Sequence, residues 1–180
     1  DHGRLRGLVN KAFTPRVVEV LRPHIQQIVD GLLDRAEGKS SMDLIEDFAA
    51  QIPVEVIGNL LEVPRTERGP LRGWSLAILS ALEPVPSAEL LDNGNRAVRE
   101  FLDYLRGLVA ARKQHPGDPE ADVLTRLIQG ETAGEQLSES ELLHNCIFML
   151  NAGHETTTNL LGNGLHALLT RRGEDARLSA

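Results

Sequence analysis

At 180 residues the chain is long enough for one substantial core, and 41% hydrophobic with 25% charged residues is an ordinary globular balance. Nineteen basic against 26 acidic residues leave a net charge of −7, which argues against a nucleic-acid-binding face. One cysteine excludes an internal disulfide and a multi-cysteine zinc site, as suits a reducing cytoplasm, and no run reaches the roughly 18 apolar residues of a membrane span.

The first residue is Asp1, and GRLRGLVNKAF opens directly into helical pattern without a cap, which reads as part of something longer. Thr14 is then a candidate N-cap with Pro15 at the first helical position, where a missing N–H costs nothing. Phe13 and Val18 are placed for a hydrophobic staple. Apolar Val18, Leu21, Ile25, Ile28, Leu32 and Ala36 follow at spacings of three and four, so one face is expected inside, with Gly38 as the stop. Pro23 falls within this helix and is expected to bend or split it. MDLIEDFAAQIPVEVIGNLLEVP reads as a short extended piece and then a helix from about Pro53 to Leu61. RTERGPLRGWSLAILSAL is a poorer helix, interrupted by Gly69, Pro70 and Gly73. A long amphipathic helix is expected from about Ser87 to His115, ended by Pro116 and Gly117, then a short one over DVLTRLI.

The clearest start signal belongs to the last helix. Leu137, Ser138, Glu141 and Leu142 make a capping box with its staple, and a helix from Ser138 to about Thr170 is roughly 50 Å long at ~1.5 Å per residue. No internal repeat and no linker divides the chain, so the organisation is one all-α domain over residues 1–180.

Inside that helix lies NAGHETTTN, Asn151 to Asn159, a polar stretch in apolar surroundings. It has three readings. A solvated turn is the plainest, but CIFML just before it covers every side of a helix and implies burial all round. A zinc site of His-Glu-x-x-His type fails because Thr158 stands four residues after His154, while His144 and His166 are about 15 and 18 Å away along the axis. The third reading is a helix passing close to a bound ligand. Gly153 and Ala152 keep the backbone approachable. Thr156 can donate to the carbonyl four residues back and loosen the turn. Glu155 supplies an acid that carries protons inward.

NAGHETTTN resembles the oxygen-binding helix of bacterial cytochrome P450 monooxygenases, whose pattern Ala-Gly-x-(Asp/Glu)-Thr is matched by Ala152, Gly153, Glu155 and Thr156. DHGRLRGLVNKAFTPR is similar to the family's His-x-x-x-Arg segment, and the intervening helices have similar order, so the likeness covers essentially the whole chain. The resemblance implies haem b as cofactor, with His2 and Arg6 binding its propionates and Ala152 and Gly153 over its distal face. It implies Glu155 and Thr156 as the catalytic pair that orients water and delivers protons to bound dioxygen. His154 stands at the variable position and is expected to orient or pack; Asn151 departs from the usual apolar residue. It further implies O2, a small hydrophobic organic substrate, and a ferredoxin or flavoprotein electron donor, with no nucleic acid and no membrane. Substrate contacts are expected from Trp74 to Val85 and from the first half of the last helix.

The family's iron is held by a cysteine thiolate in a late loop containing Phe and Gly. No such loop occurs in this sequence, and Cys146, about 15 Å from Thr156 on the same helix, is expected to be a buried, inert thiol. Glu174 and Arg177 have the spacing of the family's Glu-x-x-Arg motif but come too soon after the oxygen-binding helix. The expectation is a partial P450 fold, truncated at both ends, inactive and unstable alone, whose parent is a monooxygenase. The alternative is an all-helical module that binds a hydrophobic ligand, or scaffolds, without catalysis.

Overall fold

The structure is a computed structural model that describes residues 2–13, 15–118, 123–129 and 137–171, with only the backbone described at 2, 11 and 12. Among the described residues the order is α1 (His2–Ala12), α2 (Pro15–Ala36), a π-helical turn (Leu44–Ala49), α3 (Gln51–Leu60), a 3₁₀ turn (Arg65–Glu67), α4 (Gly69–Ser80), α5 (Ala88–Gln114), α6 (Val123–Gln129) and α7 (Glu139–Thr170). No strand occurs among them. The all-α expectation holds.

Caps and prolines account for the boundaries. Ser138 Oγ accepts from Glu141 N at 3.3 Å while Ser138 N donates to Glu141 Oε2 at 2.8 Å, the expected capping box at the head of α7. Ser87 Oγ caps α5 by accepting from Leu90 N at 3.2 Å. Pro53 and Pro70 both sit in first turns, where a helix has no intrahelical use for the N–H. Gly38, just past the end of α2, takes φ +81°, the left-handed conformation that favours glycine.

Three local expectations need correcting. The piece after Met42 is not extended: Asp43 Oδ1 accepts from both Ile45 N and Glu46 N at 2.9 Å, and Ala50 N reaches back to Ile45 O at 2.9 Å, which winds it as a π-turn. Gly162 of α7 makes room for that turn, since a Cβ there would lie 2.5 Å from Ile45 Cδ1. Next, α4 runs without a break through Gly73, because Leu71, Ser75 and Ile78 bury one face at helical spacing. Finally, α2 is not split at Pro23, and it is Val17 rather than Val18 that is buried, Val18 being 52% exposed. Thr14, the expected N-cap of α2, lies outside the described residues.

One core joins α3 to α7. Phe101, Leu105 and Val109 of α5 meet Leu71 and Ile78 of α4, Val54 and Ile57 of α3, Val123, Leu124 and Leu127 of α6, and Leu142, Leu143, Cys146 and Leu150 of α7. A smaller cluster of Ile28, Leu32 and Ile52 fastens α2 to α3. Helices α4 and α5 touch almost backbone to backbone: a Cβ on Gly94 would fall 2.4 Å from Ala81 Cβ.

The burial inferred from CIFML is only half right. Cys146, Ile147 and Leu150 are inside, but Phe148 is 66% exposed. Phe148, Ala152, Thr156 and Leu160, four residues apart in turn, form one exposed stripe down α7, while Leu143, Ile147, Leu150, His154 and Thr158 form the buried stripe opposite. Five apolar residues in a row cover every direction around a helix, but among the described residues the packing leaves Phe148 mostly exposed.

Candidate functional site

The middle of α7 carries the polar residues singled out from sequence, and its two faces separate them. Thr156 Oγ1 donates to Ala152 O at 2.6 Å, as anticipated, yet α7 stays α-helical through this turn. With its proton engaged, the hydroxyl offers lone pairs outward from the exposed stripe. Glu155, half-buried, stands about 100° round the helix from Thr156, and its Oε1 accepts from Asn159 Nδ2 at 3.4 Å.

On the opposite face His154 is 1% exposed, with Nδ1 3.2 Å from Ser75 Oγ of α4. Burial holds its pKa below the ordinary histidine range; the neighbouring charge of Glu155 opposes that shift and that of Arg72 assists it. His154 is therefore a neutral packing residue that ties α7 to α4. Arg72 of α4 pairs with Glu46 of the π-turn, Nη2 to Oε1 at 2.6 Å, with a second bond from Nη1 to Oε2.

Beside the exposed stripe α1, α2, α3 and α7 enclose an apolar cleft of about 630 Å³. Its wall on α7 is Phe148, Met149, Ala152, Gly153, Thr157 and Leu161; α3 contributes Ile52, Pro53, Val56 and Ile57, and α1 contributes Val9. Gly153 has a second use here, since a Cβ on it would stand 3.0 Å from Ile57 Cδ1, so the missing side chain lets α3 close on α7. A neighbouring cleft of about 450 Å³ shares Val9 and Phe148 and is edged by Arg6, Asn10 and Asn145. Arg6 is exposed on α1; the His2 side chain lies outside the described residues, as do Glu174 and Arg177.

Ala152, Gly153 and Arg6 thus border two adjoining clefts, with Glu155 and Thr156 next to them on α7. Three contributors escaped the sequence reading. Phe148 was assigned to the core with its neighbours. Ser75 and Arg72 sit in a helix whose buried face has to be known before their roles show. The α3 wall was legible in principle, because Ile52, Val56, Pro53 and Ile57 make two adjacent stripes at a spacing of four.

Cys146 is fully buried, and burial pushes its thiol up to about 12. It is a thiol, not a thiolate, at neutral pH. In native protein Cys146 is expected to resist an aromatic disulfide reagent at neutral pH, and to react fully once urea unfolds the chain. Rapid labelling under native conditions would show that α7 opens locally.

Trp74, expected to contact substrate, stacks on Phe101 at a centroid distance of 5.0 Å and donates from Nε1 to Glu100 at 3.0 Å. At the other end of that segment Leu82 is 73% and Val85 91% exposed. The α4–α5 connection therefore presents apolar side chains outward, whereas Trp74 serves the packing of α4 on α5.

Among the described residues the long helix α7 thus carries the Ala-Gly-x-Glu-Thr turn beside an apolar cleft. The cytochrome P450 family model matches residues 76–179. The chain belongs to the cytochrome P450 family. It is 41% identical over 179 residues to cytochrome P450 CYP107DY1 of Priestia megaterium, covering 99% of this chain and 42% of that protein. It is 40% identical over 178 residues to the polyketide biosynthesis cytochrome P450 PksS of Bacillus subtilis, again 99% of this chain and 42% of the relative. Among solved structures, P450BioI in complex with an acyl carrier protein ligated to hexadec-9Z-enoic acid superposes with a TM-score of 0.89 at 35% identity, over 98% of this chain and 44% of that one. The myxobacterial CYP267B1 in complex with myristic acid gives 0.86 at 40% identity, over 99% and 43%. The chain spans about two-fifths of the length of these relatives. No described helix is long and apolar enough to cross a membrane.

Proposed function

We propose that this chain is the oxygen-facing portion of a haem-dependent monooxygenase, which inserts one atom of O2 into a small hydrophobic substrate with electrons from a ferredoxin or flavoprotein. The observation that carries it is the juxtaposition on α7 of an apolar, small-residue wall, Ala152 and Gly153, with a carboxylate and an alcohol, Glu155 and Thr156.

The residues present suit one side of a haem. A flat apolar macrocycle needs a wall without projecting side chains, which Ala152 and Gly153 supply, and Phe148 and Val9 continue it toward α1. Its propionates need cations, and Arg6 edges the adjoining cleft as a planar guanidinium suited to carboxylates. His2, four residues before Arg6, would be its partner one turn away. Cys146 does not suit the iron, being buried within the core and protonated. Haem, when bound, supplies the reductive activation of O2.

The chain's own residues would govern protons. The Thr156 hydroxyl, donating to Ala152 O, accepts a hydrogen bond from a water on the exposed stripe and so orients that water's other proton outward. Glu155 exchanges protons with solvent from its half-buried position and returns them to the same water. The apolar side chains of Ile57, Met149 and Phe148 exclude bulk water from the cleft. Substrates of the kind held by the relatives, fatty acids free or on a carrier protein, match such a wall in hydrophobicity.

The test is the reduced, CO-treated spectrum of the full-length, haem-loaded protein. The reading expects the red-shifted Soret band of thiolate-ligated haem. Retained binding of a fatty acid with no haem bound would instead establish the alternative, a ligand-binding module, which the almost wholly apolar cleft favours.

A further inference from the structure

The Glu155–Thr156 turn is held from behind. Thr156, on the exposed stripe, bonds only Ala152 O of its own helix, and Glu155 bonds only Asn159 one turn on. Their orientation is therefore set by what the opposite, buried face of α7 touches. As far as Leu150 that face includes the aliphatic side chains of Leu143, Ile147 and Leu150. Beyond Leu150 the buried positions are His154, Thr158 and Gly162, and none is aliphatic. The Thr158 hydroxyl donates to His154 O of its own helix at 3.0 Å, and Gly162 has no side chain. On the α3 side Gly153 brings bare backbone against Ile57, a contact that limits approach without fixing a direction. His154 is the one large side chain fully buried from α7 past Leu150, and its Nδ1 lies 3.2 Å from Oγ of Ser75, itself 0% exposed. Among the described residues, no other α7 side chain beyond the first turn is hydrogen-bonded to another helix.

We infer that His154 and Ser75 are positioning residues, whose hydrogen bond fixes the rotation of α7 about its own axis at the Glu155–Thr156 turn. The role given to the bond rests on the proton function proposed above for Glu155 and Thr156; its hold on the helix does not. Apolar contacts are non-directional, so a helix rolls on an aliphatic surface at little cost. A hydrogen bond weakens steeply once its angle falls below about 120°. Both partners are buried, so a broken bond is not exchanged for one to solvent.

Helical geometry carries that constraint to the other face. Thr156 follows His154 by two residues, about 200° round the helix, so a roll that opens the Ser75 contact swings the Thr156 hydroxyl in the opposite direction. At about 5 Å from the axis, that oxygen moves about 1 Å for a roll of about 10°. A misplacement of about 1 Å is enough to cost about 10²-fold in rate.

Ser75→Ala in the full-length, haem-loaded protein removes one oxygen and little volume. It is expected to lower product formed per electron consumed about 10-fold and to raise peroxide in step, with the substrate KM within about twofold of the parent. His154→Leu should do the same. His154→Asn keeps a polar atom near the place of Nδ1 and should recover most of the product, which a side chain that only fills space would not do. Leu143→Ala, three turns earlier on the buried stripe, is the control for general softening. It should lower the urea midpoint more than Ser75→Ala does, yet leave the ratio of product to peroxide unchanged. A second readout needs no turnover. In threonine-methyl NMR the Thr156 resonance is expected to move in Ser75→Ala and to stay in place in Leu143→Ala. If His154→Leu does not fold, Ser75→Ala decides alone. An unchanged ratio in Ser75→Ala overturns the assignment, as does a loss shared equally by Leu143→Ala or one carried by KM instead of kcat. A parent without the thiolate Soret band sinks the monooxygenase reading instead, and the Thr156 methyl shift then still decides whether this bond sets the turn.

Discussion

Thr156→Ala in the full-length protein is expected to lower product formation about 10²-fold, the lower end of what a positioned proton-transfer group contributes, while consumption of O2 continues. The hydroxyl donates to Ala152 O at 2.6 Å and is exposed on the stripe that borders the cleft. Its removal frees a carbonyl that solvent can satisfy, so folding should be little affected. What is lost is the acceptor that orients a water. Oxygen that takes up two electrons and two protons without O–O cleavage would leave as hydrogen peroxide, so peroxide released per electron consumed should rise as product falls. Thr156→Ser keeps the oxygen and should restore most of the coupling. Glu155→Gln keeps size and hydrogen bonding but not proton exchange, and should slow turnover without the same rise in peroxide. Product and peroxide measured together decide the matter. If Thr156→Ala leaves both unchanged, the proton role assigned to this turn is wrong.

The largest stability effect is expected at Arg68, far from that turn. Its side chain is 8% exposed and makes four bonds: Nε to Val63 O at 2.9 Å, Nη1 to Glu55 O at 3.2 Å and Glu55 Oε2 at 2.6 Å, and Nη2 to Asn59 Oδ1 at 2.8 Å. It thereby closes the C-terminal end of α3 onto the start of α4. Arg68→Met removes every donor at once and strands a carboxylate that is only 30% exposed. The expected loss is about 3–5 kcal/mol, read from the urea midpoint at constant m-value. Gly58→Ala should act through the same group, because its Cβ would fall 2.5 Å from Arg68 Nε and 2.8 Å from Cζ, forcing the guanidinium out of place. The exposed Arg22–Glu19 pair is the control, and Arg22→Ala should stay within about 0.5 kcal/mol of the parent. An Arg68→Met variant within about 1 kcal/mol of the parent would mean the bonds merely replace ones made to water.

These two sites differ in how far sequence could foresee them. The Thr156 turn stands out in the sequence because an alanine, a glycine, an acid and an alcohol follow in that order within an apolar helix, which packing alone does not require. Arg68 does not. It lies in a stretch with two other arginines, Arg65 and Arg72, and nothing in RTERGPLRG distinguishes the buried guanidinium from the exposed one. Arg68 is buried because α3 ends at Leu60 and the chain turns back, through Glu62 at φ +53°, to lay it against Glu55 and Asn59 of the preceding helix and the Val63 carbonyl just past its end. The π-turn at Leu44–Ala49 was missed for a like reason. Asp43 can cap a turn there, but whether it does depends on Gly162, more than a hundred residues later, leaving room for Ile45.

Sequence alone determined the helical class, the long capped helix α7 and the order of polar residues along it. Those follow from spacing, capping chemistry and turn residues, which act over a few positions. Only the tertiary structure decided which face of α7 is which. It turned Phe148, Ala152 and Thr156 outward beside an apolar cleft and His154 inward against Ser75. A helix brings every direction to the surface within one turn, so the sequence of α7 carries both faces equally. The helices that arrive from elsewhere choose between them.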